Sequence, residues 1–275
     1  MNFTESISKN RTYLMGISII MIMFFHNLWI RDVDWLKPIN YYGHWGVDVF
    51  FFLSGYGIVY SLRKNNLKVY FRNRIFRIVP ICVIAGLIKF VIFHYVLKND
   101  SSWGWQIFIG FDLWYIKAIL ILYCLSPLIF KYLDKYVVFF LILSYIVAIV
   151  TIHVTTNGFL CLFIPRTPVY LLGMMVANHM LKINKKLLIV SFCFFIFAVL
   201  HYWSFIEGNG WFWNQYASVI FLSVGAFFFM WLMILCFSIF RRLYLIPLLE
   251  FSGRHSLECV YCACIYISFH NSNFL

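Results

Sequence analysis

The stretch MGISIIMIMFFHN, Met15 to Asn27, places eleven apolar or small residues ahead of an imidazole. Such a run is typical of a membrane-spanning helix, which needs about 20 mostly apolar residues to cross a bilayer. An ionisable side chain within a span is costly, so His26 marks a candidate functional site. The surrounding sequence indicates whether the run spans a membrane and what the histidine does there.

Apolar runs of similar length recur along the chain of 275 residues, of which 63% are hydrophobic and 12% charged, against about 25% charged in soluble domains. The runs lie at roughly 13–30, 47–62, 78–96, 107–130, 136–153, 159–181, 187–203, 216–240 and 255–271. No Pro/Gly/Ser-rich linker separates them. The sequence therefore predicts an all-α, polytopic transmembrane bundle of about nine spans, forming a single domain over 1–275.

The formal net charge of +12 is distributed as an orientation signal. If the N-terminus is cytoplasmic, the outer loops hold only Arg31, Lys37 and Lys98. The inner segments then hold fifteen cations, which are Lys9, Arg11, Arg63, Lys64, Lys68, Arg72, Arg74, Arg77, Lys131, Lys135, Lys182, Lys185, Lys186, Arg241 and Arg242. This excess follows the positive-inside rule, so we expect a cytoplasmic N-terminus and no nucleic-acid partner.

The eight cysteines lie almost entirely within the predicted spans. Cys259, Cys262 and Cys264 are close together, but no histidine stands at metal-ligand spacing. We interpret them as small hydrophobic residues, and expect no metal site and no permanently bound cofactor.

His26 lies about 20 Å along the helix from Tyr13, in the outer half of the first span. One interpretation is a neutral histidine that donates a hydrogen bond to a neighbouring helix. The other is a general base, since imidazole titrates close to neutral pH.

A second motif, YYGHWGVDVFFFLSGYGIVYSLRKN at 41–65, brings a carboxylate into an aromatic span beside His44. Asp48 is predicted either to orient an imidazole, His26 or His44, or to be satisfied by free backbone N–H groups at a helix N-terminus. Gly46, Gly55, Gly57 and Ser54 are expected to permit close helix packing.

A third motif, YFRNRIFRIVP at 70–80, concentrates three arginines on the inner side. Arg74 and Arg77 share a helical face because they are three residues apart. Ordinary anchoring to anionic lipid is one interpretation. Bidentate capture of phosphate is the other, and arginine suits it better than lysine.

Other ionisable residues are scattered through the later spans. Arg166, in FIPRTPVYLLGM, lies between two prolines at a broken helix start, which is typical of backbone lining a cavity. Asp112 and Lys117 flank LWYI and are expected to pair or to snorkel. Lys89 and His94 are further ionisable residues, within the predicted 78–96 span.

Taken in order, these motifs resemble the acyltransferase 3 family of integral membrane acyltransferases, many of which O-acetylate surface polysaccharides. The resemblance rests on GISIIMIMFF before His26 and on GVDVFFFLSGYGI, YFRNRIFRIVP, LWYIKAILILYCLSP, RTPVYLLGM and GRHSLE. It covers most of the chain and makes ten spans possible, although the C-terminal residues CVYCACIYISFHNSNFL match only loosely.

The family pairs an arginine in the first span with a histidine eleven residues later. His26 matches the histidine, while Met15 occupies the arginine position. Arg11, one turn earlier on the same face, is a candidate substitute. Arg74 and Arg77 match the family's Arg-x-x-Arg element, which is thought to engage the acyl-CoA donor.

The resemblance implies transfer of an acyl group, expected to be acetyl, from cytoplasmic acyl-CoA to a hydroxyl of a cell-surface or lipid-linked saccharide. It also implies a multi-pass protein surrounded by membrane lipid, in a bacterial cytoplasmic membrane. The expected site residues are His26 and Asp48 for catalysis, Arg74, Arg77 and Arg72 for the donor, and Arg166, His44, Trp114 and Tyr115 for the acceptor. Ser54 remains an alternative as an acyl-relay nucleophile.

Two other functions remain open from the sequence. A transporter or flippase of polysaccharide precursors would share the aromatic outer loops and intramembrane charges, although no inverted internal repeat is visible. A catalytically impaired family member is consistent with Met15 and the short C-terminal region.

Overall fold

The computed structural model describes residues 3–26, 33, 42–91, 114–179, 184–206, 217–240, 246–255 and 259, and the regular elements in these ranges are all helical. The helices are α1 Phe3–His26, α2 Trp45–Lys64, α3 Leu67–Val91, α4 Trp114–Val154, α5 Gly158–Phe163, α6 Thr167–Ala177, α7 Lys185–Ile206, α8 Ala217–Phe240 and α9 Ile246–Arg254. A 3₁₀ turn, Ile164–Arg166, joins α5 to α6. The predicted all-α class is confirmed.

Three stretches in the described part of the chain are long and apolar enough to cross a membrane: Trp45–Lys64, Trp114–Val154 and Gly158–Ala177. The predicted spans from 13–30 to 216–240 all overlap described helices, while 255–271 lies outside the described residues apart from His255 and Cys259. The protein is therefore a helical membrane protein. The number of about nine spans and the cytoplasmic N-terminus stay predictions.

Helix α4 is two helices joined end to end. Its 41 residues would extend about 60 Å, twice the thickness of the bilayer core. Tyr136 has non-helical dihedral angles (φ −125°, ψ 21°), and the charged residues Lys131, Asp134 and Lys135 precede it. The break falls where the sequence predicts a boundary between the 107–130 and 136–153 spans, but a kink takes the place of a loop.

Helices α2 and α4 occupy opposite environments. In the most apolar window of α2, 78% of residues are buried inside the protein, against 11% in α4. The exposed side chains of α4 are large and apolar, such as Val138, Phe139 and Ile142, as expected for a surface that faces lipid. Helix α2 is therefore the centre of the bundle, and its residues are available to line a site.

Glycines bring α2 against α6 at backbone distance. A Cβ at Gly55 would collide with the Tyr170 carbonyl oxygen, and a Cβ at Gly173 with that of Phe52. The close packing expected from the α2 glycines is confirmed here. This crossing carries Arg166, just before α6, to the side of α2.

Helix α9, which the sequence patterns did not predict, packs on α1 in the same manner. A Cβ at Gly253 would collide with the Thr12 carbonyl oxygen, and a Cβ at Gly16 with that of Leu249. The contact covers the N-terminal half of α1 beside Arg11 and Met15.

Candidate functional site

Helices α1 and α2 pack antiparallel, and this arrangement sets the order of the candidate residues. Gly43 lies against Met21, Gly46 against Ser18, and Gly57 against the Arg11 side chain. The N-terminal end of α2 therefore lies beside the C-terminal end of α1, and the chain runs in opposite directions along the two helices. Along this helix pair, an arginine cluster formed by Arg11, Arg74 and Arg77 lies at one end and His26 lies at the other end. Asp48 lies between them.

The arginine cluster surrounds a small pocket with a cavity volume of about 30 Å³. Arg11, Arg74 and Arg77 contribute guanidinium groups, and no described residue of the lining is acidic. The other lining residues are apolar or hydroxyl-bearing: Met15, Phe50, Ser54, Ile78, Tyr115, Ile119 and Tyr123. Three cations and no carboxylate make this a site suited to an anion.

Aromatic rings hold Arg74 in the pocket. Its Cζ lies 5.1 Å from the centre of the Tyr123 ring and 5.8 Å from that of Tyr70, both within cation–π range. The Tyr70 hydroxyl donates a hydrogen bond to the Tyr123 carbonyl oxygen at 2.9 Å, which fixes α3 against α4. The buried Arg74 Nε has no hydrogen-bond acceptor in the described part of the chain.

The predicted shared face of Arg74 and Arg77 is consistent with the pocket, since both line it. Arg72 does not line it and is exposed. Residues two apart on a helix point to different sides, which accounts for the difference.

Asp48 forms a buried ion pair with Arg166. The Arg166 Nε lies 3.3 Å from Asp48 Oδ1, and the two side chains are 3% and 1% exposed. Arg166 Nη1 also donates a hydrogen bond of 2.7 Å to the Leu162 carbonyl oxygen. The sequence considered an imidazole or backbone N–H groups as the partner of Asp48. The carboxylate does lie in the first turn of α2, and the structure pairs it with an arginine 118 positions away rather than with an imidazole.

Trp114 covers this ion pair. The Arg166 Cζ lies 5.0 Å from the centre of the Trp114 ring, so the guanidinium stacks between an aromatic face and a carboxylate. The Trp114 ring in turn stacks on Phe51 of α2, with the centres 6.3 Å apart. Arg166 thus has a counter-charge and an aromatic packing partner, while its Nε and both Asp48 carboxylate oxygens are buried without a hydrogen-bond partner in the described part of the chain.

Tyr115, the next residue, faces the arginine pocket. Its ring packs edge-on to Phe51 at 5.5 Å and Phe50 at 6.0 Å, and its hydroxyl is hydrogen-bonded to Ser54. The start of α4 therefore contacts both clusters, with Trp114 on the ion pair and Tyr115 in the pocket.

His26 ends α1 and is half-buried. Its ring meets the Phe25 ring at 5.0 Å, and the His44 ring lies 5.5 Å from the same Phe25 ring. Phe25 therefore brings the two imidazoles to one end of the helix pair. His26 is eleven residues from Met15, which corresponds to about 16 Å along the helix.

Several predicted residues are outside these clusters. Lys117 is exposed on α4. The side chain of Lys89, and His94 and Asp112, lie outside the described residues, as do the aromatic segments 101–106 and 207–215.

Sequence reasoning missed Tyr123 and the buried pair Ser126–Tyr170, whose hydroxyl oxygens are 2.6 Å apart. Tyr123 follows Tyr115 by eight residues, so helical periodicity places it on the same face. That signal was present in the sequence. Nothing local in the sequence indicates that Ser126 contacts Tyr170.

Comparison with known proteins gives one match. A family model described as an acyltransferase domain matches residues 12–263, a range that contains His26, the Asp48–Arg166 pair and the Arg74–Arg77 face. No curated protein and no solved structure matches the chain. Because the match spans well over half of the sequence, the chain belongs to the acyltransferase 3 family and carries its acyltransferase domain.

Proposed function

We propose that the protein transfers an acyl group, acetyl in the first instance, from cytoplasmic acyl-CoA to a hydroxyl of a cell-surface or lipid-linked saccharide. The observation that carries this proposal is the arrangement along α1 and α2. An anion pocket without a carboxylate lies at one end, and two imidazoles lie at the other. A long donor with an anionic end and a reactive thioester end fits such a spacing.

In this scheme the phosphates of acyl-CoA bind Arg74 and Arg77. Guanidinium groups bind phosphate oxygens bidentately, and a site partly closed off from water strengthens these charge-assisted hydrogen bonds. The pantetheine arm then extends along the α1–α2 interface toward His26. The separation of about 16 Å between Met15 and His26 is within the reach of an extended arm of that kind.

His26 acts as the general base. It takes the proton of the acceptor hydroxyl as that oxygen attacks the thioester carbonyl. The carbon–sulfur bond breaks, the thiolate leaves, and the imidazolium returns the proton to it. The products are the acylated saccharide and free CoA thiol, and His26 ends neutral.

Asp48 and Arg166 serve this reaction as positioning residues. Their ion pair lies between the pocket and His26 and ties α2 to the start of α6. Trp114, stacked on Arg166, and His44, beside Phe25, are proposed to form the wall against which the acceptor sugar binds. Aromatic faces and imidazoles are both suited to a sugar ring bearing hydroxyl groups.

The test is a thiol-release assay on membranes supplied with acetyl-CoA and candidate glycans. Wild-type membranes are expected to release CoA thiol in an acceptor-dependent manner, and His26→Ala, expressed at the same level, is expected to release none above background. His153→Ala is the matched control, because His153 is an exposed histidine far along α4. Full acyl transfer by His26→Ala would overturn the base assignment.

Charge reversal separates donor from acceptor binding. Arg74→Glu and Arg77→Glu are expected to raise the apparent Michaelis constant for acetyl-CoA and to leave that for the acceptor nearly unchanged. An equal rise in both constants would contradict the assignment of the pocket to the donor.

A further inference from the structure

Arg11 is a cation with no role in the reaction proposed above. It lies on α1 one turn before Met15, just ahead of the residues matched by the family model. Its side chain turns into the bundle, and its Nε is buried with no hydrogen-bond acceptor in the described part of the chain. Its Nη2 lies 3.4 Å from the Leu53 carbonyl oxygen, which is long for a hydrogen bond.

A half-buried guanidinium without a counter-ion is costly, because the charge has lost part of its water and gained only a long contact to a backbone carbonyl. The pocket around Arg11 makes the cost larger, since its neighbours Arg74 and Arg77 are also cations. No described lining residue supplies a negative charge. The missing partner is therefore expected to be a ligand.

Helix α2 provides the space that this side chain occupies. A Cβ at Gly57 would collide with Arg11 Nη2 and lie 2.7 Å from Arg11 Cζ. All of the nearest atoms at this position belong to the Arg11 guanidinium. Glycine at 57 thus allows Arg11 to pass α2 and reach the pocket lined by the two arginines of α3.

We propose that Arg11 is the third phosphate-binding arginine of this pocket, delivered from α1 through the gap at Gly57. The assignment rests on the proposed donor site and extends it. Three guanidiniums around one pocket suit a doubly charged phosphate group better than two do, because a phosphate monoester carries close to two negative charges at neutral pH. In acyl-CoA the 3′-phosphate is such a monoester, and the pyrophosphate bridge also carries two negative charges, one on each phosphorus.

Binding of CoA and of 3′-dephospho-CoA to the purified protein in lipid nanodiscs, measured by calorimetry, tests the proposal without requiring turnover. Arg11→Gln is expected to weaken CoA binding at least tenfold, and Arg11→Lys to weaken it less. Lys9→Gln, which removes an exposed cation from the same helix, is expected to stay within twofold of wild type.

Gly57→Ala tests the same contact while keeping the arginine. The added methyl group displaces the flexible guanidinium, so CoA binding is expected to fall about as far as in Arg11→Gln. The double variant Arg11→Met with Met15→Arg moves the cation by one turn within the same lining and is expected to recover part of the lost affinity.

The two ligands distinguish the phosphate. If Arg11 holds the 3′-phosphate, wild type binds dephospho-CoA more weakly than CoA, and Arg11→Gln weakens dephospho-CoA no further. If Arg11 holds the pyrophosphate, Arg11→Gln weakens both ligands in the same proportion. Either result supports a phosphate-binding Arg11.

Three outcomes overturn the proposal. If Arg74→Gln loses tenfold in affinity while Arg11→Gln and Gly57→Ala stay within twofold of wild type, Arg11 is not part of the site, although the donor site stands. If the wild-type protein binds neither CoA nor dephospho-CoA, the proposed donor site and the proposed role of Arg11 are both wrong. Should Arg11→Gln fail to fold, an unchanged affinity in both Arg11→Lys and Gly57→Ala overturns it equally.

Discussion

The two charged clusters along α1 and α2, the arginine cluster of the pocket and the Asp48–Arg166 ion pair, differ in how their charge is compensated. Arg166 has a carboxylate at 3.3 Å, a backbone carbonyl at 2.7 Å and an aromatic face. Arg74 has aromatic faces only, and neither it nor Arg11 has a carboxylate among the described lining residues of the pocket. The compensated arginine ties two helices together, while the uncompensated ones are those that we propose bind the anionic donor.

This contrast separates stability from binding. Removing a partner from the ion pair leaves a buried charge alone, which destabilises the fold. Removing a cation from the pocket relieves the repulsion between its arginines in the unliganded protein. It should therefore lower the affinity for the donor without lowering the stability of the fold. The two clusters should therefore respond in opposite ways to the same kind of substitution.

The largest expected effect is on the ion pair. Asp48→Asn should lower the free energy of unfolding by about 3–5 kcal/mol, because Arg166 loses its buried counter-charge. Denaturant titration of the purified protein in detergent micelles measures it. Adding Arg166→Met to Asp48→Asn should recover part of the loss, since no unpaired charge remains.

The control for this prediction is the ion pair between Glu250 and Arg254, which is solvent-exposed on α9. Glu250→Gln should change stability by no more than about 1 kcal/mol, as is usual for exposed pairs. An equal loss of unfolding free energy in Asp48→Asn and Glu250→Gln would show that the burial of Asp48 adds nothing to the cost of removing its charge.

The second-largest effect is expected on the Michaelis constant for acetyl-CoA. Arg74→Gln should raise the apparent Michaelis constant for acetyl-CoA by about tenfold to a hundredfold, since a hydrogen bond to a charged group contributes roughly 1.5–3 kcal/mol. Stability should be unchanged or slightly raised. Steady-state kinetics and denaturant titration on one preparation check both, with Lys68→Gln, an exposed cation on the same helix, as the control. A stability loss as large as that of Asp48→Asn would remove the distinction between the clusters.

The sequence predicted the helical elements and the composition of the pocket better than the contacts between distant helices. Arg74 and Arg77 lie three residues apart, so local periodicity was enough to place them on one face. The partner of Asp48 could not be predicted in this way. It depends on α6 crossing α2 at Gly55 and Gly173, and on Trp114 reaching the same point. Small residues indicate that some helix approaches closely, but they do not indicate which one.

A smaller effect should come from ionic strength. Raising the salt concentration from about 0.05 M to about 0.5 M shortens the screening length from more than 10 Å to less than 10 Å. The pocket opens to solvent at the exposed Arg77, so the Michaelis constant for acetyl-CoA should rise several-fold. The stability difference between wild type and Asp48→Asn should stay constant, because the buried pair is shielded from ions. A salt-dependent stability difference would place the Asp48–Arg166 pair in contact with water.

The smallest expected effect is that of Arg72→Gln. The sequence grouped Arg72 with Arg74 and Arg77, but Arg72 is exposed and does not line the pocket. A solvent-screened cation at this distance contributes little, so the Michaelis constant for acetyl-CoA should rise by less than about threefold. Kinetics of Arg72→Gln beside Arg74→Gln measure the difference. If Arg72→Gln raised this Michaelis constant as much as Arg74→Gln does, the donor would be bound by the whole basic segment. The lack of a counter-charge in the pocket would then no longer explain which arginines bind the donor.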